Sequence, residues 1–270
     1  MEELRAAHEA IERDLIQART IQQSLVPERV LETATSRISL LLQPCGHVGG
    51  DLVGMFKPAA DQLGLYSIDV SGHGITSAMV TARVAGYLSS KFLDQNLALE
   101  RTVDGLFHMR SPAETAGLLN QRLAADPGVE EYLTMAYLAA DLRSGQMTVV
   151  QAGHSHPLLM RRDGSVEFIG DGGLPIGLVD EVVYDQVNFA MRRGDRLLLY
   201  SDGFTEAVMK NGDMLGEDGL VDLFRESAKV GEGPELLQDM FWRLTEGMLD
   251  STSLGDDVSA ALLEFDIRPG

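Results

Sequence analysis

Cysteine is almost missing from this sequence. Cys45 is the one cysteine in 270 residues, so no internal disulfide can form. No apolar run approaches the ~20 residues that a membrane-spanning helix needs. The first three residues already carry charge, unlike an export leader. A reducing cytoplasm is therefore the expected setting. Basic residues are scarce as well: 22 Lys and Arg stand against 41 Asp and Glu, a formal charge of −19. A field of that sign repels nucleic acid and anionic lipid. With no basic stripe, a metal nuclease is disfavoured. No Gly-Lys pair occurs, which removes a phosphate-binding P-loop. Six positions after Cys45 stands Asp51, not arginine, so a cysteine-phosphatase loop is missing and Cys45 is expected to be a plain buried residue. Gly153-His154-Ser155-His156-Pro157 has proline where a serine-hydrolase elbow needs glycine. Internal repeats and low-complexity tracts are also lacking.

The elements come in blocks. Residues 3–25 read as a helix with Leu4, Ile11, Ala18 and Leu25 at heptad spacing and Leu15 and Ile21 beside them, a stripe suited to a dimerising or signal-transmitting coiled-coil seam, the alternative being one amphipathic helix lying on the domain. Pro27 closes it. Strands are expected over 38–42 and 63–70. The Ala-rich segment after Gly74 reads as a helix burying Ala78, Ala82, Ala85, Leu88 and Phe92. Ser111-Pro112-Ala113-Glu114 is a helix start with an N-cap, a proline in the first turn and a capping-box glutamate. Short apolar runs over 136–142, 147–152, 158–161 and 166–169, split by Ser144-Gly145 and Asp163-Gly164, indicate hairpins. A buried strand over 196–201, helices over 216–228 and 234–249, and a last strand over 258–265 complete the chain. This order is α+β and antiparallel, not β-α-β alternation.

Four aspartates share one local design. Asp51 follows the pair Gly49-Gly50, which reads as flexible. Asp69 and Asp202 each end an apolar strand just before a glycine turn. Asp256 and Asp257 precede the final strand. One such residue is as readily a turn residue as a ligand; four in one arrangement suggest a metal site. Converging carboxylates about 4 Å apart would repel by roughly 4 kcal/mol per pair at an effective dielectric near 20. Hard divalent ions such as magnesium or manganese relieve that repulsion, and a pair of them can activate water and clamp a phosphoryl oxygen.

The motifs Val48-Gly49-Gly50-Asp51, Asp69-Val70-Ser71-Gly72-His73-Gly74, Ala152-Gly153-His154-Ser155-His156-Pro157-Leu158-Leu159, Ser201-Asp202-Gly203-Phe204-Thr205-Glu206-Ala207 and Gly255-Asp256-Asp257-Val258-Ser259 occur in the order found in bacterial SpoIIE-type phosphatases. The chain resembles that family, part of the metal-dependent, type 2C protein phosphatases, from about residue 20 to 265. Residues 18–27 resemble the helix that precedes this domain.

The resemblance implies an α-β-β-α sandwich of two antiparallel sheets flanked by helices. It divides the chain into a dimerising or signalling helix over 1–30 and a phosphatase domain over 31–268. It implies hydrolysis of phosphoserine or phosphothreonine by water activated by two or more Mn2+ or Mg2+ ions. In that scheme Asp69 bridges two metals, the Val70 carbonyl and Asp51 serve the second, and Asp202 and Asp256 complete the first, with Asp257 as the alternative to Asp256. Gly50 and His73 would lie near substrate. The implied substrate is a phosphorylated STAS-domain anti-sigma-factor antagonist in a partner switch. The resemblance implies an upstream sensor or receiver domain, while the heptad stripe points to a homodimer through the N-terminal helix and the net charge to no nucleic-acid or membrane partner. The rival reading is a phosphatase-like binding module without turnover. Two departures stand out: Leu52-Val53-Gly54 replace the family's aromatic pair and second Asp, and Ser259 replaces its threonine.

Overall fold

The structure is a computed structural model that describes residues 2–26, 28–72, 74–126, 128, 130–250 and 254–266. The side chains of residues 2–4 and 6–11 lie outside that description, as do Pro27 and His73. In chain order the elements are α1 (Glu2–Gln23), β1 (Val30–Glu32), β2 (Ser36–Gln43), β3 (Asp51–Ala59), β4 (Gln62–Val70), α2 (Ile75–Tyr87), β5 (Leu99–Arg101), β6 (Phe107–Met109), α3 (Pro112–Ala124), β7 (Leu133–Asp141), β8 (Gln146–Ala152), β9 (Leu158–Met160), β10 (Val166–Phe168), β11 (Gln186–Ala190), β12 (Arg196–Tyr200), α4 (Gly216–Ser227), α5 (Pro234–Gly247) and β13 (Val258–Phe265).

Two antiparallel sheets stack face to face. One runs β1-β2-β13-β12-β9-β10, the other β11-β8-β7-β4-β3. Helices α2 and α3 cover the second sheet; α5 lies on the first, with α4 beside it. The result is the expected four-layer α-β-β-α sandwich. β13 shows why its sequence is an unbroken apolar run: it lies between β2 and β12, and all eight of its residues are buried. A strand covered on both faces has no polar side to alternate with. Its one acid, Glu264, is matched by Arg196 at 3.0 Å and by the Gly233 N–H at 2.8 Å.

The capping signal at Ser111 holds, with Ser111 Oγ accepting from the Glu114 N–H at 3.2 Å. The Glu114 carboxylate accepts from Arg110 at 2.8 Å. Helix α2 forms where expected, but it presents a different face. Ser77, Val80, Thr81 and Val84 are its buried residues, with Leu88 just beyond; Ala78, Ala82 and Ala85 are half-buried and Phe92 is 63% exposed. The cause is partly polar: Thr81 donates to the carbonyls of Gly50 and Ser77, both at 2.9 Å, and Ser77 donates to Gly74. Of these only the bond to Gly50 leaves the helix, and together with the buried Val80, Val84 and Leu88 it fixes the face turned to the sheet.

Along α1, Leu15 and Ala18 are half-buried, while Ile16 and Ile21 are exposed. The chain after α1 is part of the domain's core: Val26 is buried in the main apolar cluster and Leu25 packs against it.

Candidate metal centre

Each sheet delivers two carboxylates to one edge of the sandwich. Asp51 opens β3 and Asp69 lies next to the end of β4; the two are paired directly across the ladder. Residues so opposed share a face, with Cβ atoms about 4.5–5.5 Å apart. Asp202 follows β12 and Asp256 precedes β13, neighbouring strands of the other sheet. The β12–β13 ladder is continued to this edge by Ser201, whose N–H donates to the Ser259 carbonyl at 3.0 Å and whose hydroxyl accepts from the Ser259 N–H at 2.9 Å.

The electrostatics are those of crowded acids. Asp51 is 3% exposed, and its Oδ2 has no hydrogen-bond partner. Burial, then the charges of Asp69 and Asp257, holds its carboxyl well above the ordinary carboxylate range. Burial also raises Asp69, to about 7, reinforced by Asp202, Asp256, Asp257 and Glu206. Asp202 is raised by burial and by Asp256 and Glu206. Among the described residues no lysine, arginine or histidine pairs with Asp51, Asp69, Asp202 or Asp256.

The glycines of these motifs are fixed by close approach. A Cβ on Gly50 would lie 2.5 Å from the Val70 carbonyl oxygen and 3.2 Å from Asp69 Oδ1. A Cβ on Gly49 would overlap the Asp257 carboxylate, and one on Gly203 the Asp257 carbonyl oxygen. The expectation of a flexible Gly49-Gly50 pair is thus replaced by a held one, anchored by Gln22 and Thr81. Gln22 Nε2 donates to the Gly49 carbonyl at 2.6 Å, and the Gly49 N–H donates to Gln22 Oε1 at 3.1 Å.

Asp256 and Asp257 are unlike. Asp257 is buried, and both its oxygens accept backbone N–H groups, Cys45 at 2.8 Å and Asp51 at 3.2 Å. Asp256 is exposed, and its Oδ1 accepts only the N–H of Asp257, at 2.7 Å. Cys45 corrects an expectation: it is exposed, because the loop after Pro44 carries it to the rim of the site. One ligand atom each from Cys45, Asp256 and Asp257 falls within 4.8 Å of the others. Although the residue is exposed, partial desolvation of its thiol, reinforced by the Asp257 charge, pushes it up to about 11, so it is protonated at neutral pH and poorly suited to a hard cation.

An orphaned buried oxygen, a backbone carbonyl turned into the space beside Gly50, and several carboxylates without a counter-charge are donor types that hard divalent cations take, but among the described residues no three of Asp51, Asp69, Asp202 and Asp256 bring ligand atoms within 4.8 Å of one another. His73 lies outside the described residues. His154 is buried, its imidazole between Thr134 Oγ1 at 2.7 Å and Ser67 Oγ at 2.9 Å, with burial lowering its pKa to about 4. Thr134 is the ladder partner of Asp69 and Ser67 stands two residues before it, so this neutral ring braces the strands that carry Asp69. Sequence reasoning missed Gln22, Thr81, the bracing role of His154 and the backbone bonds of Asp257. Only Gln22 left a signal, a polar residue on the buried face of an amphipathic helix.

The profile of the Stage II sporulation protein E (SpoIIE) family matches residues 59–266. The chain is 26% identical over 191 residues to phosphoserine phosphatase RsbP of Bacillus subtilis (strain 168), a match spanning 71% of this chain but only 45% of that protein. Phosphoserine phosphatase RsbU of the same organism is 23% identical over 261 residues, covering 96% of this chain and 72% of RsbU. The SiaA-PP2C domain of Pseudomonas aeruginosa has the same fold, with a TM-score of 0.76 at 23% identity over 97% of this chain and 99% of that one. The profile match takes in Asp69, Asp202 and Asp256 and runs over most of the sequence, and the chain belongs to the SpoIIE family.

Proposed function

We propose that the chain is a metal-dependent protein phosphatase acting on phosphoserine or phosphothreonine. The observation that carries this reading is the Asp51–Asp69 pair, two neighbouring acids with no counter-charge, one of them holding a buried oxygen without a partner. In this reading Asp51, Asp69 and the Val70 carbonyl would hold one Mn2+ or Mg2+ ion, and Asp69, Asp202 and Asp256 would hold a second. Asp256 is preferred to Asp257 because the carboxylate of Asp257 is already committed to backbone donors. Such ions supply an activated water and a clamp on the phosphoryl oxygens. The protein's own part is to fix the carboxylates on two sheet edges and to hold Gly50 open beside the Val70 carbonyl. Gly50 and His73 would lie close to the bound phosphoester.

The substrate we infer is a phosphorylated STAS-domain anti-sigma-factor antagonist in a cytoplasmic partner switch, by analogy with the RsbP and RsbU relatives. Residues 1–30 would form the signalling and dimerising helix, answering to a sensor or receiver domain, and residues 31–268 the catalytic unit. The exposed Ile16 and Ile21 on α1 suit such a contact. A dimer that survives Leu15→Glu in sedimentation would place the contact elsewhere.

The deciding experiment is hydrolysis of p-nitrophenyl phosphate with manganese, alongside calorimetric manganese binding. EDTA should abolish turnover, and Asp69→Asn or Asp202→Asn should lower it on the order of 100-fold or more while weakening metal binding. Full turnover in EDTA would end the metal reading. Metal binding without any turnover would favour the binding module.

A further inference from the structure

Beside the carboxylates lies a cavity of about 410 Å³ that the metal chemistry does not use. That volume falls within the ~300–1,000 Å³ range of ligand pockets. Its walls come from the end of α5, where Met248 and Leu249 stand, from Val208 after the Asp202 turn, and from Leu254 before Asp256. Backbone pairing holds those walls together. The Leu249 N–H donates to the Val208 carbonyl at 2.9 Å, and Met209 is bridged to Met248. Three large apolar side chains are left open to solvent around this edge, Val208 at 42%, Met214 at 62% and Leu249 at 64%. Among the described residues the rim carries the acid Glu206 and no basic residue.

The cavity is continuous with the proposed centre. Gly203, Glu206 and Asp256 line it, and Glu206 is also one of the charges acting on Asp69 and Asp202. A phosphoserine presented to Asp69 and Asp202 on a polypeptide therefore carries its neighbouring residues over this opening. We infer that the cavity formed by Val208, Met248, Leu249 and Leu254 is a substrate-docking pocket. It takes a large apolar side chain flanking the phosphoserine, with a lysine or arginine beside it meeting Glu206. The inference rests on the phosphatase reading for the position of the phosphoserine. The occupant follows from the pocket's own chemistry: an apolar floor selects an aliphatic or aromatic side chain, and an acidic rim selects a cation while repelling an acidic flank. Each missing apolar contact in such a pocket is worth about tenfold or more in discrimination.

Two phosphoserine peptides test this, one with leucine and arginine flanking the phosphoserine and one with alanine in place of the leucine and the arginine kept. The wild-type protein should favour the first by about tenfold or more in kcat/KM, chiefly through KM. Val208→Ala with Leu249→Ala should bring that preference to within about twofold while leaving p-nitrophenyl phosphate turnover unchanged, since neither side chain belongs to the carboxylate centre. A wild-type protein indifferent to the leucine, or a preference that survives the double variant, overturns the pocket. Fluorescence anisotropy of the same labelled peptides keeps the two readings apart. If p-nitrophenyl phosphate is not turned over, the phosphatase reading fails. The pocket then stands or falls on whether the wild type binds the leucine-arginine peptide more tightly and the double variant does not.

Discussion

Gln22 holds Gly49 by both of its backbone groups. The amide nitrogen of Gln22 donates to the Gly49 carbonyl at 2.6 Å while its oxygen accepts the Gly49 N–H at 3.1 Å. Gln22 belongs to α1; Gly49 leads into Gly50 and Asp51 and lies against the Asp257 carboxylate. The last turn of α1 is thereby tied to the backbone that positions one pair of acids.

Gln22→Ala should therefore act on metal binding more than on folding. It leaves two buried backbone groups without partners, each costing about 1–3 kcal/mol if water does not replace the side chain. A loop freed from that clamp should weaken manganese affinity by about tenfold or more, read by calorimetry, with the circular-dichroism spectrum unchanged. Unaltered affinity would show that the clamp does not transmit to Asp51.

The crowded carboxylates predict a pH dependence of the metal-free protein. Asp69 has its pKa raised to about 7 in the fold, against about 3.9 in an unfolded chain. The folded state then binds the proton more tightly than the unfolded one. The corresponding stability is fully present below about pH 4 and is lost as pH rises toward 7. In EDTA, the wild type minus Asp69→Asn difference in melting temperature should thus fall between pH 4 and 7. At pH 7 the variant should melt higher by a few degrees, because it removes a buried charge without a counter-charge. Manganese should reverse that order by stabilising the wild type alone. A flat difference across this pH range would mean that Asp69 is not held among unneutralised acids.

Much of this arrangement is legible in the sequence because it is carried by local patterns. Apolar runs ending in Asp-Gly place Asp202 at the end of β12, and the Ser111-Pro112 signal starts α3 where it is found. What is not legible depends on contacts between distant segments. β3 gives no alternating pattern, since its first six residues are buried and Lys57 to Ala59 are not. The rotation of α2 is set in part by Thr81 reaching the Gly50 carbonyl, 31 positions away. Periodicity alone points to the alanines instead. The contrast between Asp256 and Asp257 is likewise invisible, because it is made by the N–H groups of Cys45 and Asp51, which arrive from the other end of the chain.

That contrast predicts a double dissociation. In Asp257→Asn, an NH2 group replaces one of two oxygens that each accept a backbone N–H, so a donor faces a donor at Cys45 or Asp51. A buried donor left unmatched costs about 1–3 kcal/mol, and the melting temperature in EDTA should drop by several degrees. The variant should still bind its full complement of manganese, with weakened affinity, because the acids proposed as ligands remain. Asp256→Asn should do the reverse. Its side chain is exposed and bonds only to the next N–H, so its melting temperature in EDTA should hold or rise slightly as repulsion with Asp69 and Asp202 is relieved. Its calorimetric stoichiometry should fall by one ion. Should Asp257→Asn lose the ion at an unchanged melting temperature, the two residues exchange roles, and the backbone bonds of Asp257 would have to give way when metal binds.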